Sequence, residues 1–286
     1  TWDWVTVNLR KSDIDYIIRH CSERKECAPR LQRKGKNWFL VFSFKEIVKL
    51  SEKPLQQQLA LGVDLGINQA CACSIVNLDG TVIGRHILQL PIEKDFLNHA
   101  LNRIKKAQQH GAKKMPRLWA KANGINADIA QKTARFILNI AEKCKVDVIV
   151  FEHLDLQGKK RGSKKQRLHL WKAKAVQKIV ADGAHRRKMH ISHVCAWGTS
   201  ALAFDGSGKV LRNRSNYSIC TFQNGKQYNC DLSASYNIAA RYFIREIEKS
   251  MAEKLWLRIQ AKVPECRKRI TCTLSTLRSI YAVLSA

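Results

Sequence analysis

Three acidic residues lie where a charged side chain is costly, and their types and spacing suit phosphodiester chemistry. Asp64 is enclosed in the apolar run of residues 61–67, and Glu152 directly follows the apolar run 146–151. Asp231 opens a segment with helical character. A charge in such surroundings is stable only when it is paired, hydrogen-bonded or bound to a metal. If the three converge, they could hold two divalent cations that polarise a phosphodiester and activate water.

Each of these carboxylates also has an ordinary explanation when it is taken alone. Asp64 could pair with one of the many arginines or face outward on an edge strand. A glutamate after a strand is common, and Asp231 could serve only as a helix N-cap. The combination favours a metal site, because each carboxylate marks the middle or an end of a different predicted core element.

The donor atoms indicate which metal such a site would take. Carboxylate oxygens are hard ligands, so they select Mg²⁺ or Mn²⁺ rather than zinc. The sequence has no HExxH motif for catalytic zinc and no GxxxxGK[ST] loop for ATP phosphates. Metal-dependent hydrolysis is therefore favoured over zinc- or ATP-dependent chemistry.

Hydrophobic patterning predicts the elements that must position the carboxylates. Strands are predicted at residues 59–67, 70–78, 81–90, 146–151 and 191–196, and helices at residues 93–110, 127–144, 169–188 and 233–249. The Asp79-Gly80 pair indicates a hairpin between the second and third strands. A hairpin followed by alternating helices and strands predicts an α/β domain with a mixed sheet. Before it, residues 1–50 are predicted to be β-rich, with a strand at 38–44, and the polar residues 51–58 to be a linker.

The charge balance points to a polyanionic partner. The 286 residues include 51 Lys+Arg against 23 Asp+Glu, a net charge of +28. Nucleic acid is the expected partner, since neutralising phosphates releases counterions, and a merely solvated basic surface is the alternative. An apolar content of 45% excludes a wholly disordered chain. Without an apolar run of membrane-spanning length or a signal peptide, no membrane partner is expected, and the ten cysteines are expected to be reduced in a cytoplasmic protein.

Two basic runs flank the carboxylates in the sequence. Residues 96–127 hold seven Lys/Arg and no acid, and residues 157–190 hold twelve Lys/Arg and one acid. Such runs are commonly solvated surface, but beside a carboxylate site they would hold phosphates near the metals. The candidate nucleic-acid-binding residues are Lys105, Lys106, Lys113, Lys114, Arg117, Lys159, Lys160, Arg161, Lys164, Lys165 and Arg167.

Three ordered segments resemble the RuvC motifs of TnpB-type proteins of insertion sequences, which are related to type V CRISPR effectors. Residues 62–68 (GVDLGIN) resemble the first motif, residues 148–154 (VIVFEHL) the second and residues 231–238 (DLSASYNI) the third. The resemblance extends over about residues 30–248. Two positions depart from the motifs: His153 replaces the usual Asp after the glutamate, and Ser233 replaces an Asn.

The resemblance implies an RNase H-like (RuvC) nuclease core that cuts DNA selected by base pairing to a bound RNA. Asp64, Glu152 and Asp231 would be its catalytic residues and its Mg²⁺ or Mn²⁺ ligands. Guide RNA and target DNA would be the partners of this protein, which would belong to a prokaryotic mobile genetic element.

The resemblance also implies a division of the chain. Residues 1–58 would be the end of a β-barrel module with a linker, and residues 59–196 and 231–249 the nuclease core. Residues 197–230 would be a zinc-ribbon-like insertion, and residues 250–286 receive no assignment. The helical recognition lobe that normally lies within the barrel module has no counterpart here and the chain does not begin with Met, so we expect a fragment.

The ribbon departs most from the family pattern of two C-x-x-C pairs. The positions of the first pair read Ala203-Phe204-Asp205-Gly206, and on the second side Cys220 is retained while Asn224 stands where its partner would be. Cys195 and Cys230 lack ligand spacing. Four-coordinate zinc is therefore not expected, and a hairpin scaffold without metal is predicted instead.

Two other functions stay open at this point. The chain could be a DNA- or RNA-binding protein without cleavage, such as a repressor or a remnant, or an unguided RuvC-fold nuclease. Retention of all three carboxylates favours cleavage over binding alone. Protected RNA on the purified protein would separate a guided nuclease from an unguided one.

Overall fold

The computed structural model describes residues 6–66, 69–154, 172–213 and 216–286. The chain divides into two units, Thr1–Lys49 and Leu50–Ala286. No helix within the described ranges is long and apolar enough to cross a membrane.

The first unit contains a helix as well as the expected strands. It consists of helix α1 (Lys11–Cys21) and the antiparallel strands β1 (Lys25–Lys34) and β2 (Asn37–Lys45). Gly35, at a φ of +66°, forms the tight turn between the strands. The sequence-based prediction did not include α1, whose signals are the acidic Asp13 in the first turn and the basic Arg19 and His20 in the last.

A five-stranded mixed sheet forms the centre of the second unit. Its strands are β3 (Ala60–Asp64), β4 (Cys71–Val76), β5 (Val82–Leu88), β6 (Val148–His153) and β7 (His190–Cys195). The spatial order is β5-β4-β3-β6-β7; β4 runs antiparallel to both of its neighbours, and β3, β6 and β7 are parallel. Three antiparallel strands followed by two parallel ones make the RNase H-like arrangement, so the predicted fold class is confirmed.

Helices cover both faces of this sheet. They are α2 (Pro91–Gln109), α3 (Pro116–Lys143), α4 (Ala173–Arg186), α5 (Cys230–Ser250), α6 (Glu253–Lys262) and α7 (Leu274–Ser285). Residues of α3 and α4 form one apolar core with alternate sheet residues, and residues of α5, α6 and α7 form a second core with the others. Helix α3 begins at Pro116, earlier than the predicted start at residue 127, since proline is favoured in the first helical turn.

The predicted linker, residues 51–58, is instead tied to the second unit. The buried Asp147, at the entrance to β6, accepts hydrogen bonds from the Leu59 amide (3.0 Å) and the Ser51 hydroxyl (3.3 Å). The Lys53 ammonium lies 2.8 Å from the same carboxylate. Polar composition suggested a free segment, but this buried charge requires partners and takes them from residues 51–59.

A small three-stranded antiparallel sheet occupies the insertion between β7 and α5. Its strands are β8 (Leu211–Arg212), β9 (Ile219–Thr221) and β10 (Gln227–Asn229), in the order β10-β9-β8. Residues 250–286, for which the sequence suggested no role, supply α6, α7 and the 3₁₀ turn Pro264–Arg267, and they pack on α5.

Candidate active site

Two of the predicted carboxylates lie side by side because of strand register. Strands β3 and β6 are parallel and Val63 is the partner of Phe151, so Asp64 and Glu152 follow at the same level. Side chains alternate along a strand, and the apolar Val63 and Phe151 both pack toward α3 and α4. Asp64 and Glu152 therefore both face α5, at the carboxyl edge of the sheet.

The third carboxylate comes from the first turn of α5. Asn229 caps this helix, since its side-chain oxygen accepts hydrogen bonds from the Asp231 and Leu232 amides at 3.0 and 2.9 Å. Asp231 is thus not the cap, and its carboxylate is available to the site. Gly62 allows the helix to approach the sheet: a Cβ at this position would lie 2.2 Å from the Ser235 carbonyl oxygen.

All three carboxylates line one open cleft of about 310 Å³. The other residues that line it are Leu65, Gly66, Gln69, Ala196, Thr199, Ser200, Arg212, Tyr217 and Ser218. The structure therefore brings Asp64, Glu152 and Asp231 together from three distant parts of the sequence.

Burial raises the pKa of all three carboxylates, and like charge adds to this at Asp64. Burial raises the pKa of Asp64 well above its usual value, and the charges of Glu152 and Asp231 raise it further. Burial also raises the pKa of Glu152 and of Asp231. Asp64 thus lies between two like charges, an arrangement that a bound cation would relieve.

Two cleft residues oppose these shifts, and neither was among the predicted site residues. The buried Thr199 hydroxyl donates a hydrogen bond to Glu152 Oε1, which lowers the pKa of that carboxyl. Arg212 lowers the pKa of Asp231 and of Asp64, while its Nη2 donates to the Ser200 carbonyl at 3.1 Å. Thr199 could have been found from the ribbon lead-in that the sequence retains, whereas Arg212 lies in a strand too short to be predicted.

The donor set of the cleft fits a divalent cation. The side-chain oxygen Gln69 Oε1 is buried without a hydrogen-bond partner, and Gln69 lines the cleft with the carboxylates. Together these groups provide only oxygen donors, as Mg²⁺ and Mn²⁺ prefer. Within the described residues, no three Asp, Glu, His or Cys side chains are grouped tightly enough to enclose one ion.

An aromatic cluster occupies the ribbon-like insertion, in which the resemblance would place zinc ligands. Phe204 packs edge-to-face on Phe222 (5.5 Å between centroids), Tyr228 (5.0 Å) and Tyr236 (5.1 Å). Cys220 is buried in this cluster, and its thiol lies 3.5 Å from the Tyr228 carbonyl.

A hydrogen bond joins two of the segments in which the resemblance would place zinc ligands. Asn224 donates to Asp205 Oδ2 at 3.0 Å across the insertion. Two thiols, Cys220 and Cys230, lie together in this apolar cluster, and within the described residues no group of three His, Cys, Asp or Glu side chains could hold a metal ion. A structural zinc site needs four ligands, so the residues of this insertion do not fit that metal.

The predicted nucleic-acid-binding residues divide into two groups. Lys105 and Lys106 lie on α2, Lys113 and Lys114 follow it, and Arg117 lies in the first turn of α3; all five are exposed. The other six, from Lys159 to Arg167, lie outside the described residues. His153 is exposed at the end of β6, beside the site.

One curated relative matches a large part of this chain. It is a TnpB-like protein of Aquifex aeolicus (strain VF5), 30% identical over 175 residues that make up 54% of this chain and 56% of the relative. This chain is similar to TnpB-type proteins. The resemblance predicted from the three RuvC segments is thereby confirmed, and the chain spans just over half the length of that relative. No protein-family model matches the sequence.

Solved structures with a related fold include guided nucleases and RuvC. The Cas12f1 chain of a Cas12f1–sgRNA–target DNA complex is 18% identical, with coverage of 73% of this chain and 55% of that chain and a TM-score of 0.48. RuvC of Thermus thermophilus, solved with a Holliday junction substrate, is 7% identical, with coverage of 67% and 96% and a TM-score of 0.37. These scores lie below 0.5, so the function proposed below rests on the cleft and on the sequence similarity.

Proposed function

We propose that this chain contains the nuclease core of a metal-dependent, RNA-guided DNA endonuclease of a mobile genetic element. The observation that supports this most is the convergence of Asp64, Glu152 and Asp231 in one cleft. A protein that only binds nucleic acid gains nothing from three adjacent carboxylates, because their mutual repulsion and burial destabilise the fold.

In this proposal Asp64, Glu152 and Asp231 would hold Mg²⁺ or Mn²⁺ in a two-metal site. When bound, the ions would polarise the phosphodiester and activate water. Thr199 holds the Glu152 carboxylate through its hydroxyl, so that the ligand oxygen has a fixed direction. Arg212 presents a guanidinium to the same cleft and would contact a non-bridging phosphate oxygen of the substrate.

The choice of DNA by a bound RNA rests on the TnpB-type resemblance. In such proteins base pairing selects the sequence while the protein contacts the backbone. The net charge of +28 suits an RNA and a DNA strand held together. The exposed basic residues around the α2–α3 connection would contact their phosphates.

The decisive experiment is cleavage of end-labelled single-stranded DNA with Mg²⁺ or Mn²⁺, since single strands need no guide-driven unwinding. Asp64→Asn is the test variant, and Asp182→Asn, an exposed acid of α4, is its matched control. We expect cleavage by the wild type and by Asp182→Asn but not by Asp64→Asn.

The other outcomes point to specific alternatives. Cleavage that survives in Asp64→Asn would show that the assigned cleft is not the active site. DNA binding without any cleavage would favour a binding protein. Cleavage by protein that carries no nuclease-protected RNA would favour an unguided nuclease.

A further inference from the structure

A buried arginine of α5 joins the C-terminal segment, residues 250–286, to the chain that follows β7 and lines the active site. Arg241 is 4% exposed, and its guanidinium donates to four backbone carbonyls. Nη1 donates to two of them, the oxygen of Cys195 at the end of β7 (2.6 Å) and the oxygen of Trp197 in the loop that follows (2.7 Å). The other two belong to the C-terminal segment, with Nε 3.0 Å from the Cys272 oxygen and Nη2 2.9 Å from the Ile270 oxygen. Arginine is suited to this task because its planar fork stays charged and has several donors.

A buried asparagine one turn earlier joins the same two segments. Asn237 Nδ2 donates to the Thr199 and Leu202 carbonyls, both at 3.0 Å. Its Oδ1 accepts a hydrogen bond from the Leu274 amide at 3.1 Å, where α7 begins. The side-chain amide of Asn237 therefore connects residues 199–202, to which it donates, with Leu274 of the C-terminal segment, from which it accepts.

The two segments also touch directly, at a position that requires glycine. Gly198 has a φ of +77°, and a Cβ there would lie 2.7 Å from the Ile270 carbonyl oxygen. The loop of residues 196–202 is thus held from one side by α5 and from the other by the backbone of residues 270–274. This loop also presents the Thr199 hydroxyl to Glu152.

We propose that residues 268–274, which we call the C-terminal loop, position the active site. Through Arg241 and Asn237 they hold the loop of residues 196–202 in place. That loop carries the Thr199 hydroxyl, which orients Glu152. This inference rests on the proposed nuclease function for its consequence in catalysis. Its structural part does not, because the hydrogen bonds are independent of the reaction. Arg241 and Asn237 are positioning residues, since the contacts described for them are all with the protein backbone.

The test compares two variants with a matched control on the same helix. Arg241→Lys keeps the charge but loses the fork, and Asn237→Asp keeps the acceptor but loses both donors. Arg245→Lys is the control, because Arg245 also donates to β7, at the His193 carbonyl (2.8 Å) and the Ser192 hydroxyl (2.7 Å), but its hydrogen bonds do not extend to the C-terminal loop. Amide hydrogen exchange of residues 196–202, the Mn²⁺ concentration for half-maximal cleavage, and kcat and KM for DNA are measured for each.

We expect faster exchange at residues 196–202 in both test variants and not in the control. The half-saturating Mn²⁺ concentration should rise and kcat should fall by roughly 10-fold or more, as for other residues that orient metal ligands, while KM for DNA stays the same.

A milder variant covers the case in which the buried substitutions prevent folding. The Thr271 hydroxyl lies within hydrogen-bond distance of the Glu265 and Lys268 carbonyl oxygens, at 2.6 and 2.8 Å, and can donate its proton to either of them from the exposed side of the C-terminal loop. Thr271→Val should loosen this loop and, through it, speed exchange at residues 196–202. The proposal would be overturned if the test variants exchanged faster only in residues 265–274. It would also be overturned if Arg245→Lys raised exchange at residues 196–202 by the same amount. A wild type that exchanges as expected but does not cleave DNA would refute the proposed function and leave the positioning intact.

Discussion

At the scale of single residues, the crowded carboxylates predict a conflict between stability and function at Asp64. The raised pKa means that the folded state binds a proton more tightly than the unfolded state, so stability falls as pH rises above the unfolded value of about 3.9. That loss is present at neutral pH when no cation is bound. The Asp64→Asn substitution removes it.

We therefore expect metal-free Asp64→Asn to be more stable than the wild type at pH 7, by on the order of 1 kcal/mol. The difference should shrink below pH 4, where Asp64 is protonated in both states. Thermal unfolding at several pH values, with Asp182→Asn as control, measures this. Added Mg²⁺ should raise the Tm of the wild type more than that of the variant. A variant less stable than wild type at pH 7 would contradict the electrostatic argument.

Thr199 offers a second test at this scale. Its hydrogen bond lowers the pKa of Glu152, so Thr199→Val should raise that pKa. Protons would then compete with the metal for the Glu152 carboxylate up to a higher pH. The rising limb of the pH–rate profile should move to higher pH, with a loss of roughly 10-fold in rate at neutral pH. Thr199→Ser should restore the wild-type profile. A Thr199→Val profile that is lowered but not displaced would argue against a role in setting the protonation of Glu152.

At the scale of elements, the aromatic cluster predicts that the ribbon-like sheet is stable without a metal. Phe222 is 1% exposed at the centre of this cluster, so Phe222→Ala should cost about 3–5 kcal/mol of local or global stability. Leu211→Ala, on a 70% exposed side chain of the same sheet, is the control and should cost little. For purified protein without added Mg²⁺ or Mn²⁺, EDTA should leave the Tm unchanged. Elemental analysis should find no stoichiometric zinc. Zinc at one equivalent, with a Tm lowered by chelation, would refute the assignment.

The same sheet supplies Arg212 to the cleft from β8, so its folding and the site are connected. Loss of the aromatic cluster would release Arg212 from the carboxylates whose pKa values it lowers. If the proposed function is right, a substitution in the insertion should therefore reduce cleavage although it leaves Asp64, Glu152 and Asp231 unchanged.

At the scale of the whole molecule, the net charge of +28 predicts binding to nucleic acid that weakens steeply with salt. Each lost contact with a single-stranded phosphate should reduce the slope of log K against log salt by about 0.7. Lys105→Gln should show this reduction, whereas Lys254→Gln, an exposed lysine of α6 outside the basic runs, should not. Binding measured by fluorescence anisotropy over a salt series provides the slopes. Equal slopes for the two variants would show that charge acts diffusely over the surface rather than along α2.

The sequence alone determined the elements of the nuclease-like core and the identity of the three carboxylates. Strand and helix periods are local properties, and an acidic residue beside an apolar run is visible without a structure, so Asp64 and Glu152 could be selected directly.

The tertiary structure decided what lies around these carboxylates. Thr199 and Gln69 reach the cleft from loops, and Arg212 reaches it from a strand of two residues. Such segments leave no periodic signal in the sequence. The attachment of residues 51–58 and of the C-terminal loop depends on buried polar groups, Asp147, Asn237 and Arg241, whose partners are backbone atoms distant in sequence. Backbone carbonyls and amides are the same at every position, so no pattern of residue types reveals which of them a buried side chain will bind.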